Sequence, residues 1–399
     1  MILKNILRNI VISQRKDIDV SSSGIKREML DKIDMKSPHV VILSGIRRCG
    51  KSTLLLQIMK TLDSYYFFNF EDPRAVSFEL TDFQKLDDTF HDEFGESRYY
   101  FFDEIQNVPN WERAIRTLQD RGKKIFITGS NASLLSKELG SRLTGRHLMY
   151  ELFPFSLNEM MQLMNQTLSL ESFQNYVHNG GFPEFLKYNN IDILRQLFRD
   201  IITRDIIIRH KIREHKILME LAIYLLTNCG NEFSFNRLKN HFSLGSVNTV
   251  ISYLSFLEDS YLLFTVPKFD FSYSKQRSNA KKIYAIDTAL VRANSASFSP
   301  DRGRLLENIF FLILKRKQRE IFYYKNKFEC DFLLKDGNSI THAYQVCYTL
   351  TDENIEREKA GLINAMDITG AKKGTIITHD QEDNINGIPV IPLWRFGQK

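Results

Sequence analysis

The sequence predicts an α/β protein. It opens with a parallel sheet covered by helices, followed by a helical stretch, a helical unit closed by a hairpin, and a second small α/β unit. Three observations predict this. Strand-like apolar runs at residues 40–43, 65–69, 98–103, 124–129 and 147–152 are interspersed with helical patterns, the arrangement that buries both faces of a parallel sheet. Between the first run and the helical residues 53–59 stands Gly45-Ile46-Arg47-Arg48-Cys49-Gly50-Lys51-Ser52, a complete G-x-x-x-x-G-K-S loop in its strand-to-helix context. After Pro154 the strand signal disappears for about sixty residues and the pattern turns helical.

Each residue type in the loop has a chemical reason. Glycines at 45 and 50 let the backbone bend so that successive N–H groups face phosphate oxygens, and the following helix adds its positive end. Lys51 is expected to reach the β- and γ-phosphates, and the Ser52 hydroxyl to sit on a bridging Mg²⁺. Gly45 to Ser52, together with Thr53, are therefore the candidate nucleotide ligands. Arg47 and Arg48 either add positive charge or face solvent.

The third run, Tyr99-Tyr100-Phe101-Phe102-Asp103-Glu104, ends in two carboxylates. Asp103 is expected to support the metal through its coordinated waters, and Glu104 to orient or deprotonate the water aimed at the γ-phosphate. The fourth run ends in Thr128-Gly129-Ser130-Asn131. If its strand lies between the loop strand and the acidic strand, Ser130 or Asn131 senses the γ-phosphate; each is equally suited to cap a following helix. Ser141-Arg142-Leu143-Thr144-Gly145-Arg146 precedes the fifth run. Arg146 first, and Arg142 second, are candidates for an arginine that stabilises developing charge, within this chain or across an interface.

Residues 217–290 read helix, helix, turn, helix, hairpin, the layout of a winged helix-turn-helix. From residue 302 a helix over 305–319 is followed by strands at 321–325, 330–334, 342–347, 374–378 and 389–392. The expected organisation is a nucleotide-binding core at 1–153, a helical segment at 154–216, the winged unit at 217–290 and a closing α/β domain at 291–399.

The 399 residues carry a formal charge of +6, which permits an acidic partner without requiring one. Cys49, Cys229, Cys330 and Cys347 lie far apart, which argues against a disulfide framework or zinc ribbon and for a reduced, cytoplasmic setting. No apolar stretch approaches a membrane span, and Lys4 and Arg8 interrupt the first thirteen residues.

The loop with Arg47-Arg48, the segment Phe68-Asn69-Phe70-Glu71-Asp72-Pro73-Arg74, Asp103-Glu104-Ile105-Gln106, Thr128-Gly129-Ser130, Leu143-Thr144-Gly145-Arg146, Gly180-Gly181-Phe182-Pro183-Glu184 and Arg204-Asp205-Ile206-Ile207 together resemble the AAA-type archaeal and bacterial P-loop ATPases that end in a restriction-endonuclease-like domain of unknown function. The resemblance implies ATP and Mg²⁺ as cofactors, a helical lid at 154–216, and Pro183 near the adenine. It also implies a nuclease-like centre at Glu307, Asp331, Gln345 and Cys347. An active centre of that kind carries Glu-x-Lys where Gln345-Val346-Cys347 stands, so the domain is expected to be inactive, unless Lys325 supplies the missing cation. By analogy the assembly is a homo-oligomeric ring, a hexamer as first expectation.

Two functions remain open on the sequence: a motor or remodeller acting on duplex or branched DNA, or a nucleotide switch assembling with protein partners. The presumed recognition helix, Ser246 to Tyr253, has no lysine or arginine. Cations flank it instead, at Arg237, Lys239, Lys268, Lys275, Arg277, Lys281, Lys282 and Lys315-Arg316-Lys317.

Overall fold

A computed structural model describes residues 1–130, 145–297, 301–317 and 319–396. The chain divides into two compact units, Met1–Pro154 and Phe155–Lys399.

The first unit is a five-stranded, all-parallel sheet. Its strands are β1 (Val40–Ser44), β2 (Tyr66–Asn69), β3 (Tyr99–Asp103), β4 (Lys124–Gly129) and β5 (His147–Glu151), in the order β2-β3-β4-β1-β5. β1 and β4 are buried along their whole length, which is why they read as unbroken apolar runs rather than alternating ones. The order places β4 between the loop strand and the acidic strand, which is the condition set above for Ser130 to stand near the γ-phosphate. α2 (Lys51–Met59), α3 (Asp82–Phe94) and α4 (Trp111–Asp120) lie in the connections from β1 to β2, β2 to β3 and β3 to β4.

A helix that the sequence reading passed over, α1 (Lys4–Val20), adds a further layer. Leu7, Ile10, Val11 and Ile18 form its buried stripe, and the first three join the aromatic core of Tyr66, Phe68, Phe90, Tyr100 and Phe102. Its Gln14 amide closes the outer edge of β2: Oε1 accepts the Asn69 N–H at 2.9 Å and Nε2 donates to the Asn69 carbonyl at 3.2 Å. A side chain thus does the work of a missing strand.

The second unit begins with α5 (Leu157–Met164), α6 (Leu170–Asn179), α7 (Pro183–Tyr188) and α8 (Ile191–Asp200). α8 runs on into a π-helical segment, Ile201–Ile208, a winding the sequence pattern did not announce. There follow α9 (His215–Thr227), β6 (Glu232–Phe233), α10 (Phe235–His241), α11 (Val247–Asp259), β7 (Leu263–Pro267), α12 (Tyr273–Ser278) and β8 (Lys281–Ala285). The three strands form an antiparallel sheet in the order β6-β8-β7.

After α13 (Thr288–Asn294) come α14 (Arg302–Arg316), β9 (Glu320–Lys325), β10 (Glu329–Asp336), β11 (Ser339–Val346), α15 (Ile355–Thr369), β12 (Lys373–Thr378), β13 (Asp383–Ile385) and β14 (Ile388–Pro392). The sheet order is β13-β14-β12-β11-β10-β9, antiparallel from β9 to β11 and parallel from β11 through α15 to β12 and on to β14.

Candidate nucleotide site

The G-x-x-x-x-G-K-S loop leaves β1 at its carboxyl end and enters α2 at Lys51. Gly45 is packed so closely that a Cβ there would lie 2.1 Å from the Leu152 carbonyl oxygen. Gly50 sits at φ +100°, a conformation closed to most side chains. Ile46 and Cys49 are buried; the Cys49 thiol donates to the Leu152 carbonyl at 3.4 Å, and burial pushes its pKa up. These two side chains therefore anchor the loop and leave its backbone to the ligand. Arg47 pairs with Glu71 at 3.3 Å, and Arg48 takes φ +61°. Thr53 follows on α2 and is half-buried.

Lys51, buried at the start of α2, donates to the carbonyls of Gly45 at 3.1 Å and Ile46 at 3.2 Å, and stands 3.8 Å from Glu104 Oε1. Asp103 is fully enclosed at the end of β3. Burial, reinforced by the Glu104 carboxylate, raises its pKa to about 6, against the pull of hydrogen bonds from Thr128 and Ser52 and the charge of Lys51. The Thr128 hydroxyl, on β4, donates to Asp103 Oδ1 and accepts the Glu104 N–H. Glu104 itself is held at φ +52°, and Gln106 Nε2 donates to its Oε2. Ser130 Oγ is buried and has no hydrogen-bond partner among the described residues.

The residues present fit a magnesium–nucleotide. Asp103 is a buried carboxylate in want of positive charge, Ser52 is bonded to it, Ser130 offers a hydroxyl without a partner among the described residues at the end of the intervening strand, and Gly45 and Gly50 give the loop a tight backbone path closed to most side chains.

The structure brings Lys51, Ser52, Asp103 and Glu104 together. It does not bring Arg146 to them. Arg146 precedes β5, its carbonyl accepts the N–H of Val40 at the opposite end of β1, and its guanidinium pairs with Asp120 at 2.7 Å. At about 3.3 Å per residue, a five-residue strand puts it roughly 15 Å from its own loop. Asn131 and Arg142 lie outside the described residues. Pro183 is the first residue of α7, in the second unit. Its preceding glycines have a packing reason. A Cβ on Gly180 would strike the Asp287 carboxylate, and one on Gly181 would lie 2.2 Å from the Phe155 carbonyl oxygen. Asp287 accepts the Gly181 N–H at 2.6 Å and the Leu290 N–H at 3.0 Å.

One residue of the loop's support escaped the sequence reading. Arg27 is 2% exposed; it donates to the carbonyls of Cys49 at 2.7 Å and Phe153 at 2.8 Å. Gln57 on α2 fixes it, accepting the Arg27 N–H at 3.0 Å and donating to Ser23 and Ile25. These partners are two backbone carbonyls and a glutamine far along the chain, so no local motif marks Arg27.

Of the residues expected at the nuclease-like centre, Glu307, Asp331 and Gln345 border one cavity of about 450 Å³. Gln345 donates to Glu358 at 2.7 Å. Cys347 donates to Thr349 at 3.1 Å, its thiol pushed up to about 11 by burial. Lys325 is engaged by Glu329 at 2.9 Å and Glu232 at 3.2 Å.

Comparison with known proteins gives the following. Residues 37–161 match the AAA domain family, and residues 170–301 match a domain of unknown function (DUF8612). The uncharacterized protein MJ1544 of Methanocaldococcus jannaschii is 32% identical, over 99% of this chain and 96% of its own length. An uncharacterized protein of Haemophilus influenzae is 28% identical, over 93% and 98%. Among solved structures, AMPPCP-bound DnaA from Aquifex aeolicus is similar with a TM-score of 0.28 and 14% identity, covering 58% of this chain and 85% of that one. A likeness that slight carries no argument about function.

Proposed function

The chain belongs to the family of the Methanocaldococcus jannaschii protein MJ1544 and carries the AAA domain of a nucleotide-binding P-loop protein, and from that premise we propose that it hydrolyses ATP with Mg²⁺ to drive a motor or remodelling action on DNA. The observation that carries the hydrolytic part is the Asp103–Glu104 pair, oriented by Thr128 beside Lys51 and Ser52.

Ser52 and Asp103 would hold the Mg²⁺, which neutralises phosphate charge when bound. Lys51 binds the phosphates, and Glu104 Oε1 takes the proton of the attacking water. Ser130 holds the γ-phosphate or the water through its hydroxyl, which has no partner among the described residues. Arg146, displaced to the far end of the sheet, acts on the site of a neighbouring copy, which calls for a ring or head-to-tail assembly. Pro183 contacts the base from the lid.

On this reading 217–290 is a winged helix and 291–399 a restriction-endonuclease-like domain without nuclease activity. The DNA part rests on the stretch between β7 and β8. It exposes Phe271 and Tyr273 beside exposed Lys275 and Arg277, the pairing of stacking faces with cations that suits nucleic acid. The protein-switch reading has one observation in its favour: α11 carries no cation and exposes Ile251. No described helix is long and apolar enough to cross a membrane. On this reading the setting is cytoplasmic, which suits four free cysteines.

The test is an ATPase assay on the full chain with and without duplex and branched DNA. Lys51→Ala is expected to lose ATP binding or hydrolysis, and Glu104→Gln to bind and retain ATP. DNA is expected to raise the rate, with the effect fading steeply as salt rises. Absence of stimulation by any nucleic acid at low salt sinks the DNA reading and leaves the switch. Absence of hydrolysis in every condition sinks both.

A further inference from the structure

Glu71 lies just beyond β2, and a guanidinium from the phosphate loop reaches it. Arg47 Nη1 donates to Glu71 Oε1 at 3.3 Å. The Arg47 side chain is only 21% exposed, so it lies along the protein rather than out in solvent. β1, which delivers the loop, and β2, which delivers Glu71, are not neighbours: the order β2-β3-β4-β1 puts two strands between them. At about 4.8 Å per strand spacing, the two chains run roughly 14 Å apart. The ion pair closes that gap across the carboxyl ends of β4 and β3, which lead into Ser130 and carry Asp103 and Glu104.

The Glu71 end of this strap is held firmly by its neighbours. Asn69 is in register with Asp103, the Phe70 N–H donates to the Asp103 carbonyl at 3.0 Å, and the Glu71 N–H donates to Asn69 Oδ1 at 2.8 Å. Asp72, next in line, accepts the Arg74 N–H at 3.0 Å and a bond from Gln14 of α1 at 3.3 Å. Glu71 is thus fixed beside the end of the acidic strand. Its bond to Arg47 is the yielding part, because the carboxylate is exposed and an ion pair open to water contributes little. A guanidinium facing a phosphate makes charge-assisted, forked bonds that are stronger. A triphosphate on the loop offers the second arrangement in place of the first.

We infer that Arg47 exchanges Glu71 for the γ-phosphate and thereby distinguishes ATP from ADP, an inference that rests on reading the loop as an ATP site. The loop amides serve phosphates that both nucleotides possess. ADP brings no group that draws Arg47 away, so its pair with Glu71 persists. ATP draws the guanidinium off, and Glu71 is released beside the end of β3. Arg47 is then the cation that this chain brings to its own γ-phosphate, a place Arg146 does not reach from the opposite end of β1.

The experiment displaces a fluorescent ADP from the full chain with ADP and with AMPPCP, the non-hydrolysable β,γ-methylene analogue of ATP, so that affinity is read without turnover. Arg47→Ala is expected to weaken AMPPCP roughly tenfold or more while ADP stays within about twofold. Glu71→Gln removes the competing charge and is expected to tighten AMPPCP by about two- to fivefold, again with ADP unmoved. In the double variant the Glu71→Gln gain is expected to vanish, since nothing is left to release. Equal losses of AMPPCP and ADP in Arg47→Ala overturn the inference, as does no loss of either. An unchanged or weakened AMPPCP affinity in Glu71→Gln overturns the exchange as well. Arg47→Lys keeps a charge without the fork and covers the case in which alanine does not fold; it is expected to lose part of the AMPPCP affinity and none of that for ADP, and wild-type affinity for both overturns the inference. A wild type that binds neither nucleotide sinks the ATP site itself, a result distinct from an intact site that treats the two variants alike.

Discussion

The Thr128 hydroxyl on β4 donates to the Asp103 carboxylate at the end of β3. The same oxygen accepts the Glu104 N–H at 2.9 Å, so one side chain sets the positions of both acidic residues. Thr128→Val keeps the shape and removes the bonds, leaving a buried carboxylate and an N–H without their partner. A loss of about 1–3 kcal/mol of positioning corresponds to roughly a ten- to hundredfold fall in kcat. Nucleotide affinity is expected to change much less. Steady-state hydrolysis and fluorescent-nucleotide binding, measured side by side, check this; equal losses in both would show that Thr128 is merely structural.

Arg27 ties two backbone carbonyls of the loop region to α2. In Arg27→Met the carbonyls of Cys49 and Phe153 lose a buried donor, at a cost of about 3 kcal/mol in stability. The KM for ATP is expected to rise as the loop loses its shape, while Arg27→Lys recovers part of it. Urea unfolding together with KM and kcat decides between a clamp and an inert buried arginine, for which KM stays put.

Arg146 lies too far from its own loop to serve it. Arg146→Ala chains and Glu104→Gln chains are each expected to be inactive alone and to regain hydrolysis when mixed, because each supplies what the other lacks at a shared interface. Mixing without recovery removes Arg146 from the reaction.

Gly181 faces backbone, and backbone yields little. Gly181→Ala forces a Cβ to within 2.2 Å of the Phe155 carbonyl oxygen and 2.8 Å of its nitrogen, and is expected to destabilise the second unit by about 2–3 kcal/mol. Thermal unfolding checks this; an unchanged Tm would mean that the pair of glycines is not there for packing.

Asp72 gives a pH signature to the first unit. Hydrogen bonds from Arg74, with help from Gln14, hold its carboxyl at about 2, below the ordinary carboxylate range. A pKa lowered by folding contributes stability above the unfolded value, and that contribution is lost as pH falls through the interval between the two. Between about pH 4 and pH 2, Asp72→Asn is expected to lose stability less steeply than the wild type. Acid titration followed by circular dichroism measures the slopes, and parallel curves would contradict the assignment.

Much of this was legible because it is local. The five strands of the first sheet are runs of apolar residues, and the structure moves their ends by no more than one residue. The loop, Asp103, Glu104 and Ser130 declare themselves by position after a strand. α1 was missed because charged residues fill its exposed face, and only the partner strand β2 reveals which face is buried. Arg27 and Gln57 were illegible in another way. Their partners lie tens of residues away and are often backbone atoms, so only the folded chain defines the set. Arg146 reads as adjacent to the motifs that precede it, yet a parallel strand returns the chain to the end of the sheet opposite the loop.

The close approach of Gly45 to Leu152, and the bond from Arg27 to Phe153, have a mechanical meaning. Pro154 ends the first unit, so both attachments fall on the last two residues before the exit peptide. The loop is splinted to the stretch of chain that leads out. With no room at Gly45 for even a methyl group, a small displacement of the loop finds no slack to absorb it and tugs on that peptide directly.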